Sequence, residues 1–240
     1  QGVYHLSEFE GTPQDSGAYA AHSSEYTGGL GLAGVIGNGA TFSGAGNMMT
    51  IPDNPAFNFS TGFTFSAWIK MFQPQSEGVL FSRMSGDAGI QISVAGTKLS
   101  VRVSDGTNVY QPEESTDLPQ DGWHFLAVTI APVGRITLYL DGIETGWMDM
   151  KTDLAGIKGD ILIGAGKSGS NAFAGDLDEV RISGTARSQG WIRAAHASQG
   201  VESKLLTHSL EEISEAGSGL PVFYLATIFK NITLDGLVVI

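Results

Sequence analysis

The run FTFSAWIKM at residues 63–71 decides the fold, because its apolar side chains recur at every second position. In an extended chain Phe63, Phe65, Ala67, Ile69 and Met71 share one face, while Trp68 and the polar residues occupy the other. This period of two is typical of a β-strand that buries one face and leaves the other free. The run therefore predicts a strand at the surface of a two-layered β-structure.

The same alternation recurs along the chain at short intervals. It is seen at 90–94, 99–103, 124–130, 136–140 and 161–163. Glycines between these runs, as in Asp105-Gly106 and Asp141-Gly142, supply the positive φ angles that tight antiparallel hairpins need. Many short strands at such spacing predict an all-β fold, an antiparallel two-sheet jelly-roll sandwich.

One segment before the tail has a helical pattern. In residues 188–199, Trp191, Ala194, Ala195 and Ser198 could share one stripe, which predicts a short C-terminal helix. The composition changes after Gly200. We therefore expect a jelly-roll domain over residues 1–200 and a C-terminal appendage over residues 201–240.

Composition excludes several classes of function. The 240 residues carry a formal charge of −12 and only 13 Lys and Arg residues, scattered singly, so we expect no nucleic-acid partner. The absence of Cys removes disulfides, Cys-ligated metals and thiol nucleophiles. The apolar stretch at 222–229 is far shorter than the roughly 20 residues that cross a bilayer. We expect contact with a membrane only through a segment beyond this chain.

Several motifs in order resemble the laminin-G-like, concanavalin-A-like jelly-roll domains of exported bacterial proteins. They are YHLSE at residues 4–8 followed by DSG at 15–17, IGNGATF at 36–42, FTFSAWIK at 63–70, WHFLAVT at 123–129, LYLDG at 138–142 and DEVRIS at 178–183. The resemblance covers about 200 residues and implies an extracytoplasmic location, periplasmic or secreted, in the bacterial envelope.

The last motif, with ARS at 186–188 and Trp191-Ile192, is similar to the extracytoplasmic part of MotA/TolQ/ExbB-type proton-channel proteins. The resemblance implies a non-catalytic domain of a biopolymer-transport protein that binds a glycan or protein ligand. Residues 220–240 would then approach a first membrane helix; the alternative is a last strand or a disordered end. A purely structural or protein-docking module is the alternative function.

Enzymatic activity is not expected. Glucanases of this fold carry closely spaced carboxylates on one strand, in the pattern Glu-x-Asp-x-Glu, so that alternate side chains share a face. None of the nearest candidate sets supplies three acids on one face: they are Asp176, Asp178 and Glu179; Glu113 and Glu114 before Asp117; and Glu8 with Glu10. A glucanase-type hydrolase is therefore a minor alternative.

Asp178 is the informative acid. Strict alternation would place it with Val180 and Ile182 on the core face, and Arg181 on the opposite face as a poor partner. A buried carboxylate must be hydrogen-bonded, paired, protonated or bound to a cation. The resemblance implies one structural Ca²⁺ held by acids at positions such as Asp15 and Asp178, with Glu8 as a third candidate. The loop at 18–22 departs from the family pattern, which leaves a hydrogen-bonded or Arg-paired acid as the alternative.

The face opposite the core is the candidate binding surface. If apolar side chains point inward, the outward set is Trp68, Gln91, Arg102, Arg135 and Tyr139, which could line one concave surface. Aromatic rings stack on sugar C–H faces while planar polar groups bind hydroxyls. The alternative for Trp68 and Tyr139 is packing. Trp147 falls outside the strand pattern and is either an exposed loop aromatic or the anchor of a small cluster.

Overall fold

The computed structural model describes residues 1–113, 117–132 and 134–200. The appendage predicted for residues 201–240 lies outside this part of the chain. The strands of the described residues are Gly2–Tyr4 (β1), Glu25–Tyr26 (β2), Gly29–Ala33 (β3), Asn38–Ser43 (β4), Met49–Ile51 (β5), Phe63–Met71 (β6), Gln75–Ser85 (β7), Ala88–Gly96 (β8), Lys98–Asp105 (β9), Val109–Tyr110 (β10), His124–Ile130 (β11), Arg135–Leu140 (β12), Ile143–Asp149 (β13), Ile161–Ile163 (β14) and Ala174–Ser183 (β15).

Two antiparallel sheets form a jelly-roll sandwich, which confirms the predicted fold class. The eight-stranded sheet has the order β13-β12-β11-β6-β15-β4-β3, with β1 paired to β15. The seven-stranded sheet has the order β10-β9-β8-β7-β14-β5-β2. The edge strands β13 and β10 end the two sheets on the same side of the sandwich, since Trp147 of β13 and Gln111, just after β10, line the same hollow.

The core lies between the inner faces of the two sheets. On β6 the predicted alternation is present: Phe63 and Phe65 are fully buried in the core and pack at 5.1 and 5.4 Å, centroid to centroid, from Phe81 of the other sheet. Trp68 points the opposite way, out of the core. Burial of such aromatic rings is the main source of stability for a sandwich of this kind.

A single α-helix of the described residues, Gln189–Gln199 (α1), confirms the predicted C-terminal helix. Ser188 caps it by accepting a hydrogen bond from the Trp191 N–H at 3.3 Å. The buried stripe is Ile192, Ala195 and Gln199, so the prediction was right for Ala195, whereas Trp191, Ala194 and Ser198 each lie one position before the residue that is buried. None of the described helices has the length and hydropathy to cross a membrane.

Candidate ligand-binding site

Helix α1 covers the outer face of the eight-stranded sheet, where two of the predicted binding residues lie. Trp68 and Tyr139 are 4% and 5% exposed. They form an outer cluster with Phe125, Ile192 and Ala195, separate from the main core. Both rings therefore point outward from their strands, as expected. They pack under the helix, however, so neither ring has the open surface that the predicted contact with a ligand needs.

Gln91 and Arg102 lie on the other sheet. They are direct cross-strand neighbours on β8 and β9, and the Gln91 side-chain amide donates to Glu77 Oε1 at 3.0 Å. The expectation that all five residues line one surface was wrong, because that set is divided between the outer faces of two opposed sheets. Strand alternation shows which side of a strand a residue takes, but it does not show which sheet the strand joins.

Arg135, the remaining member of that set, holds an exposed tryptophan. Its guanidinium lies 3.8 Å from the centroid of the Trp147 ring, and its Nε donates to Asp149 Oδ1 at 3.0 Å. Arg135 and Asp149 face each other across β12 and β13. Trp147 is nevertheless 47% exposed. Arg135 thus fixes one face of the ring by a cation–π contact and leaves the rest accessible.

Trp147 lies in strand β13, so the expected loop position was wrong, and it lines a hollow at the edge of the sandwich. The hollow has a volume of about 350 Å³ and is lined by Gln111, Pro112, Glu113, Trp147, Met148 and Asp149. A second hollow of about 320 Å³ shares Gln111, Pro112 and Glu113 and continues to Lys98, Leu99 and Ser100. We call these two hollows together the edge groove.

The edge groove combines an aromatic ring with planar polar side chains. Asp149 and Glu113 supply carboxylate acceptors, and the Gln111 amide is oriented by donating to Ser100 Oγ at 3.1 Å. Such a set can stack on a sugar ring and bind its hydroxyls. Sequence reasoning missed Gln111 and Asp149, and it considered Glu113 only as a catalytic acid. The available signal was the Trp-x-Asp spacing of Trp147 and Asp149, which puts both on one face of a strand.

Asp178 lies on the outer face, and its expected entry into the core was wrong. The pairing of β15 with β6 shifts register between Asp178 and Arg181, and Glu179 has φ 51°. This β-bulge inserts one residue, so Leu177, Val180 and Ile182 all reach the core despite their spacing. Asp178 stands opposite Trp68 in register.

Backbone amides satisfy the Asp178 carboxylate. Oδ2 accepts from the N–H groups of Val35 and Ile36 at 2.7 and 3.0 Å, and Oδ1 accepts from the N–H of Glu179 at 2.7 Å. Burial raises the pKa of Asp178, and these N–H donors counteract only part of that effect. Of the open alternatives, a hydrogen-bonded acid is the one that the structure shows.

Asp15 is satisfied in the same way. Its Oδ1 accepts from the N–H groups of Val3 and Gly17 at 2.8 and 2.7 Å, and its Oδ2 accepts from Ala21 at 2.9 Å. Glu8 Oε1 accepts from the Gln14 N–H at 2.8 Å, whereas Glu8 Oε2 is buried without a partner. The Asp15 carboxylate therefore holds the N-terminal segment against the following loop.

These acids do not fit a Ca²⁺ ion, which takes six to eight oxygen ligands. Most of their oxygens already accept N–H bonds, and one unpartnered oxygen of Glu8 is too few. Within residues 1–113, 117–132 and 134–200, no three His, Asp or Glu side chains come together as a metal site. Calcium binding by Asp15, Asp178 and Glu8 stays a prediction without support from this geometry.

Glu179, beside Asp178, organises a polar network under the end of helix α1. Its carboxylate contacts His5 Nδ1 at 2.5 Å, Arg181 at 2.8 Å and the Gln199 side-chain amide at 2.9 Å. Burial alone would raise the pKa of Glu179, but the hydrogen bonds and charges of His5 and Arg181 outweigh it and lower the pKa. Glu179 is therefore a structural anion that joins the N-terminus, β15 and the helix.

The geometry of the sandwich agrees with a family model. The model of the concanavalin A-like lectin/glucanases superfamily, Laminin_G_3, matches residues 43–193. The chain belongs to this superfamily. The matched range begins in β4 and ends within helix α1, so it includes the edge groove but only the first half of the helix that covers Trp68. The superfamily includes both lectins and glucanases, so membership alone does not decide between binding and catalysis.

Solved structures with a fold similar to that of this chain include toxin binding domains. The binding domain of Paraclostridial Mosquitocidal Protein 1 aligns with a TM-score of 0.68 at 18% identity, over 82% of this chain and 51% of that one. The binding domain of botulinum neurotoxin DC aligns in its complex with rat synaptotagmin II (TM-score 0.66, 13% identity, 82% and 51% covered). It also aligns in its complex with SialylT (TM-score 0.64, 13% identity, 78% and 49% covered).

The chain spans about half the length of these solved binding domains. At such low identity the likeness concerns the fold. No curated protein sequence matches the chain.

Proposed function

We propose that this chain is a non-catalytic recognition module that binds carbohydrate in the edge groove. The observation that carries the proposal is Trp147, a large aromatic side chain that is half exposed in a hollow yet fixed by Arg135. An exposed tryptophan of this kind gives sugar rings a flat apolar surface. The ring is also preorganised, so little side-chain freedom is lost when a ligand binds.

The shape of the edge groove favours an oligosaccharide over a single sugar. Its two hollows meet along Gln111, Pro112 and Glu113, so adjacent sugar units could occupy both. Asp149 and Glu113 would accept hydrogen bonds from sugar hydroxyls, and the Lys98 ammonium would donate hydrogen bonds at the far end. The edge groove therefore has the polar and apolar groups that neutral glycans require.

The state of the acids supports a binding role over hydrolysis. The Asp178 carboxylate is saturated with backbone N–H donors, and neighbouring Asp176 accepts from the Thr41 hydroxyl. In the edge groove Asp149 is 68% exposed and paired with Arg135. A glycosidase needs a carboxyl group that burial keeps protonated at neutral pH, and Asp149 lacks that burial.

Fold relatives support a binding module in general terms. The botulinum neurotoxin DC domain was solved with SialylT and with rat synaptotagmin II, which are a glycan and a protein ligand of that domain. The protein-docking role expected as an alternative therefore stays open as an outcome of the test. The aromatic edge groove is the reason for preferring carbohydrate.

We also propose, from the motif resemblance described above, that the module is extracytoplasmic and part of a bacterial envelope transport protein of the MotA/TolQ/ExbB type. The ARS and Trp191-Ile192 segment is the support for this context. The test is the coding sequence that follows Ile240. Codons for about 20 consecutive apolar residues would support the channel context, and a stop codon would contradict it.

The binding proposal is tested with a glycan array followed by titration calorimetry of the best ligand. We expect Trp147→Ala to weaken binding by at least tenfold, because it removes the stacking surface. Phe72→Ala is the matched control, since Phe72 is similarly exposed but lies outside the edge groove. An affinity unchanged by Trp147→Ala would overturn the assignment of the site. If the array shows no glycan binding and the chain binds a protein partner instead, the protein-docking role is favoured.

A further inference from the structure

A second cavity lies apart from the edge groove, between the loop that precedes β6 and the loop that precedes β14. Its volume is about 390 Å³. The two loops are tied together, because the Asp53 N–H donates to Asp160 Oδ1 at 2.9 Å. Neither the fold nor the proposed function accounts for this cavity.

A buried guanidinium forms part of its wall. Arg83 is 2% exposed. Its Nε donates to the Gly159 carbonyl at 3.1 Å, its NH1 to the Phe57 carbonyl at 2.5 Å and its NH2 to Asp53 Oδ1 at 2.7 Å. Arg has five N–H donors, so one on each terminal nitrogen is left for a ligand. The remaining pair has the planar geometry that suits a carboxylate.

The residues that line the cavity carry an excess of one positive charge. Arg83 and Lys158 line it as cations, and Asp53 is the one carboxylate among its lining residues. Lys158 forms no salt bridge with any residue that the structure describes. A single excess positive charge fits a monoanion better than a phosphate dianion. The overall charge of −12 on the chain also repels a dianion more strongly than a monoanion.

Two amide side chains add donors. Asn54 Oδ1 accepts from the Ala56 N–H and Asn58 Oδ1 accepts from the Ser60 N–H, both at 2.9 Å. Both amide NH₂ groups are thereby directed away from these turns, and neither has a partner among the described residues. Asp53 Oδ2 remains as an acceptor, and Pro55 and Ile157 give apolar surface. This combination suits hydroxyl groups on a small ring.

We propose that this cavity binds a sugar acid of the uronic acid class, with its carboxylate between Arg83 and Lys158 and its hydroxyls on Asn54, Asn58 and Asp53. The ligand is monosaccharide-sized, in keeping with the volume. The site is independent of the edge groove and of the proposed function.

The test is calorimetric titration of the full chain with glucuronate. Glucose, which has the ring hydroxyls without the carboxylate, and inorganic phosphate, which is an anion without the ring, are titrated separately. We expect binding of glucuronate, with affinity that falls as salt rises, and at least tenfold weaker binding of glucose and of phosphate. Equal binding of glucose or tighter binding of phosphate would overturn the assignment. Absence of glucuronate binding would overturn it as well.

Variants locate the site. Lys158→Gln should weaken glucuronate binding about tenfold, because it removes a charge-assisted hydrogen bond. Asn58→Asp should abolish it, since its added carboxylate repels the ligand while still accepting from Ser60. Lys167→Gln, an equal loss of charge outside the cavity, should have no effect. Trp147→Ala should leave glucuronate binding unchanged, so the two sites fail or succeed separately.

Discussion

The Trp68 indole donates its N–H to Gln199 Oε1 at 3.3 Å, and the Gln199 amide in turn donates to Glu179 Oε2 at 2.9 Å. The last turn of helix α1 is thus joined to the sheet by a buried polar chain of three side chains. Every member is satisfied, which is the condition under which such a chain stabilises a structure.

We expect Gln199→Leu to destabilise the protein by about 1–3 kcal/mol, because it leaves the buried Trp68 N–H without an acceptor. Urea unfolding followed by circular dichroism measures the change. In a Trp68→Phe background the same substitution should cost less, since the indole donor is already absent. Equal costs in the two backgrounds would show that the hydrogen bond is unimportant.

Gly34 is required by the close approach of Asp178. A Cβ at position 34 would lie 2.5 Å from Asp178 Oδ2 and 2.9 Å from the backbone carbon of Asn38. We expect Gly34→Ala to cost about 1–3 kcal/mol and to lower Tm by several degrees in a thermal scan. Gly122→Ala is the control, because a Cβ there meets nothing within 4 Å. A Tm equal to that of the control would contradict the packing of Asp178 against this loop.

Stability should decrease as the pH rises above neutrality. His124 contacts Asp141 Oδ2 at 2.8 Å and Asp121 Oδ1 at 3.0 Å through its two ring nitrogens. Burial lowers the pKa of His124, but the hydrogen bonds to Asp141 and Asp121 outweigh it, and the pKa is raised above 6.5. The stabilisation is therefore complete below pH 6.5 and is lost as the pH rises through the raised pKa.

The measurement is the free energy of unfolding between pH 5.5 and pH 8.5. We expect it to fall across this range in the natural chain and to fall less in His124→Gln. His5, whose pKa is raised by its hydrogen bond to Glu179, contributes with the same sign, so some slope should remain. NMR titration that places the pKa of His124 below 6.5 would refute this account.

Chelation provides a separate test of the acids. We expect EDTA followed by dialysis to leave Tm unchanged, because Asp15 and Asp178 take their partners from backbone amides. If a metal ion is bound in the native state, its removal must lower Tm. A drop in Tm that added Ca²⁺ reverses would restore the calcium hypothesis.

The fold followed from the sequence because β6, β8, β9, β11 and β12 each keep a strict period of two, which one core face enforces. Asp178 was misplaced because the bulge at Glu179 breaks that period, and neither Asp nor Glu signals a bulge. Gln91 and Arg102 were grouped with Trp68 because sheet membership depends on pairings between distant segments.

The candidate site could be predicted from the sequence only in part. Trp147 stood out because it fell outside the strand pattern, yet whether it was exposed depended on the position of β13 at an edge. Gln111 and Glu113 come to it from a segment following β10, the edge of the opposite sheet. Such a meeting of two sheet edges has no local signature.

Helix α1 also determines the shortest fragment that can keep the native packing of the sheet. Its residues Ile192 and Ala195 shield Trp68, Phe125 and Tyr139 from water. A recombinant chain that stops before Ser188 would present those three rings together on a sheet surface, and it should self-associate at concentrations where the longer chain stays monodisperse. Fragments for crystallography or ligand screening should therefore extend at least through Gly200.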